Sequence, residues 1–169
     1  PWAGVVLIDQ GHAPPEAVER WKDWKFGLRI HWGPYSMVGS DASWALPFSS
    51  LEFRHIYGTL YQFFNPSDFD ADAWTGMMAD AGMKYFTFTT KHHDGFSMYA
   101  TKTVRESLRL TTEGLRSGKG HYEKCVIPYS IMDTSFGRDV LAELAASARR
   151  KSLGISLYYS HIDWQDPAF

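Results

Sequence analysis

Three short clusters carry the side chains best suited to chemistry. His31 sits beside Trp32, His92 and His93 stand together before Asp94, and Tyr158 and Tyr159 run into Ser160 and His161. Imidazole, phenol and hydroxyl groups both donate and accept hydrogen bonds at neutral pH, and here they are set among flat rings. Such sets suit a neutral, hydroxyl-rich ligand whose C–H face rests on an aromatic ring. They suit a metal less well. Adjacent residues on a strand point to opposite faces, so His92 and His93 cannot both ligate one ion from a regular strand. The chain also has no His-x-x-x-His pair and no cysteine cluster at zinc spacing. No Gly-rich phosphate loop follows the first strand, and no Gly-x-Ser-x-Gly elbow is present. Cys125, the single cysteine, lies near His121 in a polar stretch and reads as an inert thiol.

These clusters need elements to bring them together. Glu16 to Trp24 reads as a short helix after the Pro14–Pro15 break, and Lys25 to Pro34 as a strand entering a loop. Gly39 to Asn65 is loop-like, with a helical turn or two between Ser50 and Tyr61. Asp70 is an N-cap for a helix carrying Ala73, Trp74, Met77, Met78 and Ala81, closed by Gly82. Met83 to Thr90 is a buried strand running into the histidine pair. Ser97 to Ser135 is a long polar excursion, Gly137 to Ser152 an amphipathic helix with Val140, Leu141, Leu144 and Ala148 on one stripe, and Gly154 to Ser160 a third strand. Strand, helix, strand, helix, strand argues for βαβ units and a parallel sheet. Each polar cluster then falls at a strand's carboxyl end, where such folds bind ligands.

Composition narrows the class. The 169 residues suffice for one domain with a real core, and a net charge of −2 with mixed signs gives no sign of the basic patch a nucleic-acid partner would need. No apolar run reaches the length of a membrane span. An aromatic content of 16%, with 7 Trp and 9 Tyr, serves a rich core or a sugar site. The chain begins at Pro1, and PWAGVVLID has no basic region of the kind that opens a signal peptide.

Five motifs occur in order: Lys-Phe-Gly-x-x-Ile-His-Trp-Gly-x-Tyr-Ser (25–36), Phe-Asn-Pro-x-x-Phe-Asp-Ala-x-x-Trp (64–74), Ala-Gly-Met-Lys-Tyr (81–85), Lys-His-His-Asp-Gly-Phe (91–96) and Leu-Tyr-Tyr-Ser (157–160). Together they resemble the catalytic domain of glycoside hydrolase family 29, the α-L-fucosidases, from Trp21 onward. The resemblance implies a (β/α)8 TIM-like barrel, of which residues 21–169 would be the N-terminal strand–helix units behind a lead-in segment, 1–20. It implies retaining removal of terminal α-L-fucose from an oligosaccharide or glycoconjugate, without cofactor or metal, in a secreted, periplasmic or lysosomal setting. Carried over by motif, His31, His92, His93 and Tyr158 would bind the sugar, and Trp44 resembles the pocket tryptophan on the loop after the first strand. Strand parity agrees for Tyr158: Ser156, Tyr158 and Ser160 share one face, leaving Leu157 and Tyr159 for the helices. Neither the nucleophilic aspartate nor the acid/base is matched before Phe169, so no residue is assigned a catalytic role, and the 169 residues alone are expected to bind sugar without cleaving it. Asp94 reads as a residue that fixes a loop or a histidine.

Two departures from the family pattern stand out. Ser43 replaces a glutamate, which suggests a related exo-glycosidase with altered sugar preference as one alternative; the three strands without catalytic carboxyls leave a non-hydrolytic carbohydrate-binding chain as another. Arg29 replaces an apolar residue and shares parity with His31, so it should point inward and need a carboxylate.

Overall fold

The computed structural model describes residues 13–110 and 121–166. The opening nonapeptide and most of the expected lead-in lie outside the described residues, as do 167–169.

Helix α1 (Pro15–Asp23) begins on a proline, whose fixed φ suits a first helical position, and buries none of its residues. Strand β1 (Gly27–Ile30) follows, then two 3-10 turns, Pro34–Val38 and Ser43–Phe48. Helix α2 (Leu51–Thr59) starts at Ser50, whose hydroxyl accepts the Phe53 amide at 3.2 Å. Helix α3 (Ala71–Asp80) starts where the sequence places it: Asp70 caps it by accepting the amides of Asp72 and Ala73 at 2.8 and 2.9 Å. Strand β2 (Tyr85–Lys91), helix α4 (Val140–Arg150) and strand β5 (Gly154–Tyr159) complete the main body.

The long stretch expected as an irregular polar excursion holds an antiparallel hairpin, β3 (Arg105–Leu110) paired with β4 (Tyr122–Ile127). Its charged residues interrupt the alternating pattern that reveals a half-buried strand. Cys125 lies on β4 opposite Ser107.

Strands β1, β2 and β5 form a parallel sheet in that order, with Phe86 opposite Leu28 and Ile155, and Thr87 opposite Arg29 and Ser156. This is an α/β fold with successive strands as neighbours. Alternation sorts the side chains by face. Leu28, Ile30, Phe86, Phe88 and Ile155 join Met78, Val140, Leu144 and Ala148 in the main core under α3 and α4. Phe86 and Phe88 are fully buried, each contributing on the order of 2 kcal/mol of transfer free energy. Arg29, Thr87 and Ser156 take the other face. Leu157 continues the Phe88 side, as parity predicts, yet it is 55% exposed, because no described helix covers the end of β5.

A fully buried hydrogen bond of 2.6 Å between the hydroxyls of Thr75 and Ser147 ties α3 to α4. At its edge Asp72 accepts from Ser147, Arg150 and Lys151, which holds its carboxyl below the usual range. A smaller aromatic cluster of Tyr35, Leu46 and Tyr57 packs under the loop after β1.

Candidate carbohydrate site

Parity along β2 would put Thr87, Thr89 and Lys91 on one face and send His92 to the other. The pairing with β5 shifts after Thr89, so that Tyr158 opposes Thr89 while Tyr159 opposes Lys91. The extra residue, Thr90, turns its hydroxyl to the Tyr158 carbonyl at 2.9 Å. Such an irregularity re-aims every side chain beyond it. Lys91 therefore leaves with Tyr159, its ammonium over that ring and bonded to the Ser160 carbonyl at 2.9 Å. His92 swings to the face of His31 and Tyr158.

The turn that follows is held tightly. Gly95 closes it at φ 79°, a left-handed value that favours glycine, and its amide reaches the His92 carbonyl at 3.0 Å. Asp94 is buried and accepts the Phe96 amide at 3.2 Å and the Tyr57 hydroxyl at 2.6 Å. It fixes the loop, as the sequence indicates. Burial and the nearby Asp94 charge hold the Tyr57 hydroxyl far above its ordinary pKa, so it stays a donor.

The five residues singled out by sequence meet at the carboxyl ends of the three parallel strands. The His31 ring lies 5.4 Å from His92 and 6.0 Å from Tyr158, and His92 stacks on Tyr158 at 5.9 Å. Trp44, delivered by the second 3-10 turn, meets His92 edge-on at 5.9 Å and His93 at 4.8 Å. Trp44 is 55% exposed, so a broad face of its indole remains open to solvent. The two histidines are buried, with ring centroids 4.3 Å apart.

Each histidine of the pair leans on a serine. Ser43 Oγ lies 2.6 Å from His92 Nδ1, and Ser160 Oγ lies 2.5 Å from His93 Nδ1. Ser43 is thus turned away from the open side and spent on a ring. Among the described residues, His31 Nδ1 is a buried polar atom on this face without a hydrogen-bond partner, where polar groups normally find one. Burial, together with the charges of His93, His31 and Arg29, lowers His92 to about 4. Desolvation likewise lowers His31 and His93. The three imidazoles of the wall are therefore neutral at neutral pH, with the Arg29 charge beside them.

Two features differ from the expectation or escaped it. Arg29 does point to this face, but among the described residues its close neighbour is the Tyr158 ring, 5.1 Å from the guanidinium carbon, and not a carboxylate. Trp164 belongs to the wall and was not singled out. Its ring lies 4.6 Å from His93 and 5.4 Å from Trp44, and its amide donates to the His93 carbonyl at 2.8 Å. The signal available was an aromatic residue four positions past Ser160, beyond the strand and its parity. The described residues hold no cluster of three metal-ligating side chains, and no described helix is long and apolar enough to cross a membrane.

A family model described as alpha-L-fucosidase matches residues 10–114. The chain is 27% identical over 160 residues to the plasma alpha-L-fucosidase of Rattus norvegicus, covering 86% of this chain and 30% of that protein. Among solved structures it is similar to the GH29 alpha-L-fucosidase from Bacteroides thetaiotaomicron, at TM-score 0.67 and 25% identity, covering 94% of this chain and 32% of that one. It is also similar to the alpha-L-fucosidase AlfC from Lactobacillus casei in complex with alpha-L-fucose product, at TM-score 0.67 and 34% identity, covering 90% of this chain and 42% of that one. The chain thus spans less than half the length of these relatives. With the family model covering more than half of its residues and the parallel strands superposing on those structures, the chain belongs to the α-L-fucosidase family.

Proposed function

We propose that the protein carrying this chain is a retaining α-L-fucosidase that removes terminal α-L-fucose from oligosaccharides or glycoconjugates, and that residues 21–169 are the first strand–helix units of its (β/α)8 barrel, behind the lead-in 1–20. The observation that carries this reading is the convergence of His31, His92 and Tyr158, with ring centroids within 6.0 Å, at the carboxyl ends of successive parallel strands.

The roles follow from the chemistry of each group. Neutral imidazoles of His31, His92 and His93 present ring nitrogens to sugar hydroxyls without the desolvation penalty of a buried cation. Tyr158 closes the floor. The open face of Trp44 receives the apolar C–H face of the pyranose, and Trp164 supports it from behind. The wall orients the sugar ring and holds its anomeric carbon in place, which is worth much of the barrier when the reacting groups are correctly set. Double displacement needs two carboxyl groups about 5 Å apart, a nucleophile and an acid/base. We assign them to later strands, beyond Phe169, and not to Asp94, which is buried behind the wall and occupied by Tyr57 and Phe96.

The test is hydrolysis of an aryl α-L-fucoside by the full-length protein, with the anomer of the first-formed fucose read by NMR. Release of α-fucose is expected, and inactivity on every α-L-fucoside would refute the reading. One observation favours a second reading, a related exo-glycosidase with altered sugar preference. Ser43, where the resemblance expects a glutamate, is buried and bonded to His92, so its hydroxyl is engaged within the wall. A panel of aryl glycosides differing at single ring positions separates the two.

A further inference from the structure

Serine and imidazole pair twice in this wall, and the pairs are not equivalent. A serine oxygen donates one hydrogen bond and accepts two. Ser160 Oγ has three polar neighbours: the Ile162 amide at 3.1 Å, the Ile162 carbonyl at 2.9 Å and His93 Nδ1 at 2.5 Å. The amide can only donate and the carbonyl can only accept. The single Ser160 proton must therefore go to the carbonyl, since otherwise two acceptors would face each other at 2.9 Å in a site where Ser160 is only 4% exposed. Ser160 then accepts from His93, and the proton of that ring sits on Nδ1.

We infer that Ser160 is a positioning residue that fixes His93 as its Nδ1–H tautomer, so that Nε2 offers a lone pair to a hydroxyl of the bound sugar. This deepens the carbohydrate-site reading above and rests on it. Nε2 has no protein partner among the described residues, and the Trp44 and Trp164 rings pack against the imidazole at 4.8 and 4.6 Å, which with the bond from Nδ1 to Ser160 holds its orientation. Lowered basicity from burial and from Lys91 keeps the ring neutral, which the lone pair requires. Ser43 behaves differently. Among the described residues its hydroxyl bonds only His92 Nδ1, so its proton can serve either tautomer of His92. The pair thus presents one fixed acceptor and one adaptable group. That matches adjacent hydroxyls on a pyranose, where one donates to His93 and the next takes whichever role remains.

Neutron diffraction from the perdeuterated wild-type protein reads the tautomer directly and depends on neither a variant nor a substrate. Deuterium on His93 Nδ1, with the Ser160 deuteron aimed at the Ile162 carbonyl, is expected. Deuterium on His93 Nε2 alone overturns the assignment. The kinetic counterpart is Ser160→Ala, which should raise KM for an aryl α-L-fucoside about tenfold while kcat stays within about threefold, because binding is lost equally from substrate and transition state. An unchanged KM also overturns the positioning role. Failure of the wild-type protein to hydrolyse any fucoside would refute the fucosidase reading and leave the neutron result standing.

Discussion

Each histidine of the wall is held neutral by its surroundings, and that gives the folded protein a pH signature. His92 titrates at about 4 in the folded chain against an ordinary 6.5. Between those values the unfolded chain binds a proton that the folded one refuses, so the contribution of His92 to stability is complete above about pH 6.5, falls as pH drops toward 4, and is flat below. His31, His93 and Arg29 face it and oppose its protonation, while Asp41 favours it. Urea unfolding between pH 4 and 7 should show the difference between wild type and His92→Gln shrinking as pH falls, and a pH-independent difference would refute this account. Activity on an aryl fucoside should drop at least a hundredfold in the same variant, by loss of a hydrogen bond that also orients the sugar. Tyr57→Phe probes the layer behind. It removes the 2.6 Å donor from a buried carboxylate and should destabilise by about 1–3 kcal/mol in urea. Four of the wall residues, His31, His92, His93 and Tyr158, were legible as types in a motif, and Trp44 only through the resemblance. The serine partners of the histidines were not, because a hydrogen bond between residues 49 or 67 positions apart leaves no local trace in the chain.

Short elements position these residues, and the places where they meet admit little change. At the amino end of the sheet the Trp24 ring lies across Gly154 and stacks on Tyr85 at 5.6 Å. A Cβ on Gly154 would sit 2.2 Å from that ring, so Gly154→Ala must push the indole off Tyr85. Overpacking of this kind typically costs about 1–3 kcal/mol. Denaturant midpoints of Gly154→Ala, Trp24→Ala and the pair should be less than additive, because the second change removes what the first one strikes. Helices α3 and α4 are joined beside the Thr75–Ser147 contact by Asp72, which accepts from Ser147, Arg150 and Lys151. Its depressed carboxyl pKa means that this contribution is present above the ordinary Asp range and is lost as pH falls below it. The helices and parallel strands were readable because Asp70, the Val140–Leu144–Ala148 stripe and the Phe86–Phe88 alternation each repeat a local rule. The antiparallel pairing of β3 with β4 was not, since a two-stranded ribbon owes its form to cross-strand pairing and not to a buried face. Nor was the shift at Thr90, which exists only relative to β5 and yet decides that His92, and not Lys91, faces Tyr158.

At the scale of the molecule, three parallel strands make a sheet whose edges, β1 and β5, are unpaired among the described residues. Its site-facing side is lined by Arg29, Thr87, Ser156 and Tyr158, a polar lining that fits the interior of a closed barrel better than an open surface. On the opposite side the apolar rows reach Leu157, more than half exposed at the end of β5. Exposed apolar residues next to an unpaired strand edge template association, and barrels remove the problem by closing. This is the physical argument for reading the chain as part of a larger barrel. It leads to an expected behaviour of the 169 residues expressed alone: they should self-associate through β5, with light scattering showing species larger than a monomer at micromolar concentration. Leu157→Lys places a charge on that edge without touching the Tyr158 face, and should shift the distribution toward monomer while leaving the far-ultraviolet circular dichroism unchanged. A monodisperse monomer of the unsubstituted chain would mean that β5 is protected by its own residues, and would remove the edge argument for a larger barrel while leaving the sugar-facing wall as described.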